Sequence, residues 1–389
     1  MLVKIGQKNL VTNFTDKMIR AIRDGCSFFF LFIADIYKKK KEILKTMGKY
    51  LKKFSTDPER VEYEGGENYL EPYVSYVEGD NSVHYNKPET RLIVKYNVED
   101  ASNPTPLFVG AESVGFPVST IYDKIEIDNE EIDMSDLSSS EGEEGITVYS
   151  YNFESDGQHT VKYTLKDQTM VGMEVDEETD MPSKFGATFA GCPITSVEIP
   201  NSVTSIGAMT FYVCTGLTSI TIPKSVTSIG ASAFRGCSGL TSVTIPDSVT
   251  TIGYAAFYEC SNLISVTIGS GITSIGGSAF YYCSGLTSVK IPNSVTSIGE
   301  FAFRDCRSLT SVTIPDNVTS IGEAAFYECR NLTDIVSLAT TAPIIESNTF
   351  CGIKTNGTLT VPIGSSGYDV WMGTSNYYLG KYNWTKVEQ

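Results

Sequence analysis

"SVTSIGASAFRGCSGLTSVTIPDSV" spans residues 225–249, and its closing Ser248-Val249 repeats its opening Ser225-Val226. The phrase returns along the C-terminal half of the chain. Cysteines stand at 192, 214, 237, 260, 283, 306, 329 and 351, so the intervals are 22, 23, 23, 23, 23, 23 and 22 residues. Phe189, Phe211, Phe234, Phe257, Phe280, Phe303 and Phe326 keep step, as do the Ile-Gly pairs from Ile206-Gly207 to Ile321-Gly322. A fixed period of this kind marks a stack of structural units, each one a turn of a larger coil.

The unit can be built from its residues. In "LTSVTIP" Val243 and Ile245 alternate with polar residues, which describes a strand with one apolar face, and Pro246 ends it. The "DSVTSIG" segment turns the chain, and its glycine is expected to supply a positive φ. Ala233 and Phe234 then point inward before Cys237 and Leu240. One turn cannot bury its own apolar face, but turns stacked about 4.8 Å apart bury a continuous core. The eight cysteines Cys192, Cys214, Cys237, Cys260, Cys283, Cys306, Cys329 and Cys351 lack the paired spacing and histidines of a zinc site. They are expected to form a ladder of reduced, buried structural thiols. On that view a serine in one slot costs about 1–3 kcal/mol by burying an ill-satisfied hydroxyl.

"LTSVTI" (240–245) fits L-x-x-L-x-L, and "IPDSVTTIGYAAFYECSNLISVTI" with its sister segments resembles the BspA-type leucine-rich repeat. The likeness covers about residues 183–335. It implies a solenoid used for adhesion or binding on a surface rather than for catalysis. Two departures stand out: Gly269 replaces the usual proline, and "ITSVEIP" (194–200) opens on isoleucine. From 336 the composition changes and both tryptophans, Trp371 and Trp384, appear. Residues 336–389 are therefore expected to cap the solenoid, the aromatic side chains sealing its core.

Upstream, "TRLIVKYNV" (90–98), "IYDKIEID" (121–128), "ITVYSYNF" (146–153) and "HTVKYTLKD" (159–167) alternate apolar and polar residues between turn-rich stretches. They predict a small antiparallel, immunoglobulin-like β-sandwich over 89–170, with "DNEEIDMSDLSSSEGEEG" (128–145) as a solvated acidic loop. The repeats then occupy 171–335, making the whole a mainly β protein. Residues 47–88 form a Tyr-rich polar linker or anchor. With the sandwich and cap, this segment resembles structural proteins encoded by phages and prophages of gut bacteria, which implies a virion or appendage and makes Met47 a natural start. Residues 1–46 are an amphipathic extension: Ile19, Ile22, Cys26, Phe29, Ile33, Ile36, Ile43 and Met47 follow three- and four-residue steps broken only at Lys40. Three readings stay open: self-association through 19–47, membrane-surface contact through 18–41, and a segment absent from the native product.

Charge narrows the function. The net charge of -16 divides into +9 for residues 1–53, with 13 Lys/Arg against 4 Asp/Glu, and -25 for the rest. An acidic body argues against nucleic-acid binding. "CSFFFLFIA" (26–34) is too short to span a bilayer and is followed by "DIYKKKK", so neither a transmembrane helix nor a conventional signal peptide is expected. Only His84 and His159 are available for acid–base or metal chemistry, and no hydrolase, metalloprotease or phosphate-loop motif appears. No enzyme activity, cofactor or metal is expected. The expected function is binding to a surface glycan or protein from an extracellular surface or virion, with a purely structural spacer as the alternative. Two faces compete for the partner. One is the strand face with Thr221, Thr244, Thr267, Lys290 and Thr313 in register. The favoured one follows each phenylalanine: Tyr212, Arg235, Tyr258, Tyr281, Arg304 and Tyr327, a composition typical of binding hot spots.

Overall fold

The computed structural model describes residues 74–77, 82–85, 91–110, 121–141, 147–166, 170–175, 182–186, 188–375 and 377–389. Two compact units divide the chain, Met1–Glu89 and Thr90–Gln389. In the first, the strands Val74–Val77 and Ser82–Tyr85 pair antiparallel as a hairpin. The amphipathic extension, with its 19–47 and 18–41 seams, lies outside the described residues.

The second unit is a β-solenoid about eight turns long, entered through a two-sheet sandwich. Its main parallel sheet runs Ser242–Ile245, Ser265–Ile268, Ser288–Lys290, Ser311–Ile314, Asp334–Ser337, Thr358–Val361, Thr385–Glu388. Alternation decides the facing: Val243, Ile245, Val266 and Ile268 are buried while the Ser and Thr between them are exposed. Two-residue strands such as Ser228–Ile229 and Thr251–Ile252 build a second parallel side. Pro223, Pro246, Pro292 and Pro315 end the long strands, and each proline carbonyl accepts the N–H of the valine three residues on, at 3.0–3.2 Å. At Gly269 the equivalent bond to Ile272 stretches to 3.5 Å, so the departure from proline loosens that one turn.

The Ile-Gly glycine does a different job from the one expected. Gly230 and Gly253 do not take a positive φ. A Cβ on either would stand 2.5 Å from the backbone nitrogen of Ala208 or Ala231 in the preceding turn. Glycine is required because neighbouring turns touch backbone to backbone here. Positive φ falls instead on Met209, Ser232, Ala255, Ser278, Phe301 and Ala324, and again four residues later at Val213, Gly236, Glu259, Tyr282, Asp305 and Glu328. This conformation costs an L-residue about 1–2 kcal/mol. It turns alternate N–H groups toward the following turn. Ser232, Phe234 and Gly236 donate to the carbonyls of Tyr254, Ala256 and Tyr258 at 2.7–2.9 Å, and the pattern repeats along the stack. The third side of the solenoid is therefore hydrogen-bonded between turns without being a sheet.

Inside, the phenylalanines form one stack. Ring centroids from Phe189 through Phe211, Phe234, Phe257, Phe280, Phe303 and Phe326 to Phe350 are 5.1–5.9 Å apart, all near parallel. Tyr163 meets Phe189 edge-on at 5.4 Å at one end, and Trp371 closes on Phe350 at 5.3 Å at the other.

Residues 91–166 form two facing sheets. Arg91–Val98, Gly157–Leu165, Tyr122–Ile127 and Glu130–Ile132 lie in one; Thr105–Gly110, Thr147–Tyr151 and Ser138–Glu141 make the other. Phe108 packs between them against Tyr122, Tyr149 and Tyr163. The strand periods foretold four of these strands. The acidic stretch is not a plain loop: Asp133 and Asp136 cap a short 3-10 turn between two edge strands. Both of its neighbours in sequence are strands, so the segment carries the chain from one sheet to the other. The first solenoid strand, Ile194–Glu198, pairs antiparallel with Arg91–Val98, and Ser219–Thr221 adds parallel beyond it. The sandwich sheet thus flows into the solenoid and covers its first turn.

At the far end the repeat outlasts its sequence signature. Ile344–Ile345, Phe350 and Thr358–Val361 complete another turn despite the change in composition. Beyond it the helix Tyr368–Trp371 lays its buried Tyr368 and Trp371 over the core. The Trp371 indole N–H donates to the Pro343 carbonyl at 3.0 Å and that of Trp384 to Lys354 at 2.8 Å, so both large rings are satisfied as well as buried.

Truncating one ring of the stack removes contacts from two neighbours at once. Phe257→Ala is expected to cost about 3–5 kcal/mol. Guanidinium unfolding followed by circular dichroism measures it, and a loss below 1 kcal/mol would show that the stack carries little of the stability.

Candidate functional site

The residue after each core phenylalanine leaves the core at the turn that faces solvent. Tyr212, Arg235, Tyr258, Tyr281, Arg304 and Tyr327 occupy this position in six successive turns, and the structure brings them into one file of contacts. The Arg235 guanidinium lies over the rings of Tyr212 and Tyr258, 5.7 and 4.5 Å from their centroids. Tyr258 meets Tyr281 edge-on at 4.9 Å. Arg304 then spans Tyr281 and Tyr327 at 5.1 and 4.5 Å. Each cation is held over aromatic faces, a contact worth about 0.5–1 kcal/mol at exposed sites. The side chains are thereby pre-arranged before any partner arrives.

An open groove of about 300 Å³ sits in the middle of this file, lined by Arg235, Tyr254, Tyr258, Tyr281, Phe301 and Arg304 over a floor of Ala255 and Ser278. Tyr254 and Phe301 were not foreseen as site residues. They stand four and three residues ahead of ladder positions; other turns carry alanine, glycine or glutamate in the slot of Tyr254 and methionine, serine or alanine in that of Phe301. That departure from the repeat is the signal that would have found them. Gly277 gives the Tyr254 ring its place, since a Cβ there would stand 3.3 Å from that ring and 3.4 Å from Glu300. Partial burial raises the hydroxyl pKa of Tyr258, with Glu259 adding to the rise and Arg235 opposing it. Burial likewise raises that of Tyr281, opposed by Arg304. Both phenols are neutral near pH 7 and offer a donor and an acceptor.

On the strand face, Thr244, Thr267, Lys290 and Thr313 are aligned across the main sheet. Thr221 instead belongs to the sandwich sheet, opposite Glu198. Other threonines are occupied: those at 227, 250, 296 and 319 donate their hydroxyls to the threonine carbonyl one turn back, at 3.1–3.2 Å.

The cysteines from Cys192 to Cys329 are buried free thiols. Each thiol from Cys214 to Cys329 reaches back to the core phenylalanine carbonyl of the preceding turn, with Sγ–O distances of 3.0–3.2 Å. Sulfur suits the slot because it is apolar enough for the core and still a weak donor. A serine would meet the same carbonyl, so Cys260→Ser is expected at the lower end of the range above, about 1 kcal/mol. Cys192 has no earlier turn to reach, and its thiol points to Ala190 at 3.8 Å. Cys351 is only half-buried and contacts Tyr382. His159 is structural, its ring clasped by the Asp128 carboxylate at 2.6 Å and the Ser155 carbonyl at 2.8 Å. Among the described residues no three His, Cys, Asp or Glu side chains are placed to hold a metal, and no helix is long and apolar enough to cross a membrane.

A model of the BspA-type leucine-rich repeat region matches residues 186–286 and 273–365 in six copies. The chain belongs to the BspA-type leucine-rich repeat family. Its repeats are similar to those of several bacterial proteins of known structure. The leucine-rich repeat protein of T. pallidum is 30% identical, over 47% of this chain and 86% of that one, with a TM-score of 0.40. A leucine-rich repeat protein of Eubacterium ventriosum is 28% identical over 47% and 46%, TM-score 0.39. A leucine-rich cell surface protein of Faecalibacterium prausnitzii is 24% identical over 58% and 88%, TM-score 0.24. No curated protein matches the chain.

Burial raises the pKa of all seven ladder thiols from Cys192 to Cys329, that of Cys237 to about 12. A folded pKa above the unfolded value means that the unfolded state loses its protons first as pH rises. The thiols' contribution to stability is therefore complete below about pH 9 and lost from there upward, at up to about 1.4 kcal/mol per pH unit for each thiol. Unfolding midpoints measured from pH 7 to 11 should fall above pH 9, and Cys260→Ala should flatten the fall. Iodoacetamide on the native protein should label Cys351 before any ladder thiol; early labelling of Cys260 would overturn the buried ladder.

Proposed function

We propose that this protein is a non-catalytic binding or adhesion protein that displays its solenoid from a cell surface, appendage or virion and engages a surface glycan or protein through the Tyr/Arg file. The observation that carries this reading is the groove: aromatic and Arg residues unlike the rest of the repeat converge on one place and are held there by cation–π contacts. Membership of the BspA-type leucine-rich repeat family supports the adhesive role. In this reading residues 1–46 anchor or self-associate, 47–88 link, and 90–389 form the displayed body. The alternative, a spacer with no ligand, finds support in the uniform hydrogen-bonded stack but leaves the convergence of aromatic residues without a purpose.

One turn offers too little area for recognition, since specific interfaces cover about 800 Å² per partner, so several turns must act together. Tyr258→Ala with Tyr281→Ala should leave the melting temperature within about 3 °C of wild type and lower attachment to host cells at least tenfold. Thr244→Ala with Thr267→Ala on the strand face is the matching control. Loss of attachment in the threonine pair alone would move the site to the other face, and no effect in either pair would favour the spacer.

A further inference from the structure

Resting on the binding reading above, we infer that the groove takes an acidic polysaccharide, one carrying carboxylate or sulfate groups along a repeating backbone. Charge gives the first reason. Among the described residues Arg235 makes no ion pair; its guanidinium has only the ring faces of Tyr212 and Tyr258. Arg304 shares Asp305 with Arg307, and its Nε, 3.6 Å from that carboxylate, is buried without a hydrogen bond. Two planar cations, one without an ion pair among the described residues and one sharing its carboxylate with Arg307, thus frame a groove on an otherwise acidic body. Such forks match carboxylate and sulfate oxygens.

Periodicity gives the second reason. Arg235 and Arg304 are three turns apart, about 14 Å at the strand spacing of a stack. Tyr258 and Tyr281 lie between them, and Tyr212 and Tyr327 extend the file on either side. A polymer running along the solenoid axis meets cation, ring, ring and cation in order, and a polysaccharide repeats its charges at fixed intervals where a peptide does not.

The backbone gives the third. The N–H groups of Ala255, Phe257 and Glu259 are bonded to the carbonyls of Gly277, Ala279 and Tyr281, and those of Ser278, Phe280 and Tyr282 to Glu300, Ala302 and Arg304. A peptide cannot add itself as a strand on this face, because the main-chain partners it needs are taken. What the groove presents is ring surface, phenol hydroxyls, the Ser278 floor and two guanidinium groups. These suit sugar rings and their acidic substituents.

The test uses the full chain on surfaces bearing polygalacturonate, dextran sulfate, neutral dextran or poly-L-glutamate, at physiological ionic strength. Retention is expected on both acidic glycans, at least tenfold above neutral dextran and poly-L-glutamate. Arg235→Gln with Arg304→Gln should lower it at least tenfold, whereas Lys290→Gln on the strand face should leave it unchanged. Equal binding to neutral dextran, or no effect of the arginine pair, overturns the acidic class; if Tyr258→Ala with Tyr281→Ala still abolishes host attachment, the binding reading survives that failure. Equal or tighter binding to poly-L-glutamate overturns the glycan in favour of an acidic polypeptide. Loss in Lys290→Gln equal to that in the arginine pair reduces the effect to unspecific charge and overturns the site.

Discussion

Turns of this solenoid sit one strand spacing apart on every side, and nearly every repeated residue answers to that closeness. A 4.8 Å step is also near the distance at which aromatic rings stack in parallel, so one phenylalanine per turn fills the axis without a gap. The same step brings backbones together at the Ile-Gly pair, where a Cβ has no room. It puts a core carbonyl of the preceding turn within reach of the next thiol, and a threonine carbonyl within reach of the next threonine hydroxyl. Residues that look like separate conserved features of the repeat are four answers to one distance. Cooperation follows, since each turn supplies acceptors, ring faces and clearance that only its neighbours use.

That constraint explains how much of the fold was legible. Phe234, Val243, Ile245 and Leu240 announce their inward facing through period and alternation, and the strands around Tyr96 and Tyr163 do so through alternation alone. What alternation cannot express is a contact whose partner is distant in sequence. The pairing of Ile194–Glu198 with Arg91–Val98 joins segments about 100 residues apart, and neither strand names the other. The extra turn at Phe350 was hidden because its sequence had drifted while its geometry had not. The glycines were misassigned for a similar reason: the residue type was read as a torsion preference, and the cause was a neighbour's backbone. Left-handed torsions landed on Ser232, Ala255 and Phe301, where side-chain chemistry gives no warning. They are set by the demand that successive N–H groups point along the stack.

The candidate site was half legible. Its six ladder residues follow from counting one place past each phenylalanine, and that count also predicts that they share a face. The groove was not visible this way, because it depends on which exceptions fall beside one another. Tyr254 forms a wall only because Gly277 lies one turn further on, and Phe301 closes the far side only because Ala255 and Ser278 are small. A cavity in a repeat protein is made by differences between units, whereas the period reports only what they have in common.

This separates two kinds of position along the repeat. Slots filled by Phe, Cys, Gly and the strand valines are locked by the 4.8 Å step, and a change there is felt by the adjacent turns. Slots at 254, 258, 281 and 301 send their side chains to the surface, outside that lock. Surface drift alone would scatter its substitutions, yet here aromatic residues, arginines and a glycine gather within four successive turns and interlock. Interlocking also answers an electrostatic objection. The body is strongly acidic, but at physiological salt fields from exposed charges fade within about 8 Å. A ligand lying in the groove therefore responds chiefly to the charges within that distance, the two guanidinium groups and the Asp305 carboxylate beside Arg304. Arg235, held between two tyrosines and with no ion pair among the described residues, keeps its charge available within that distance.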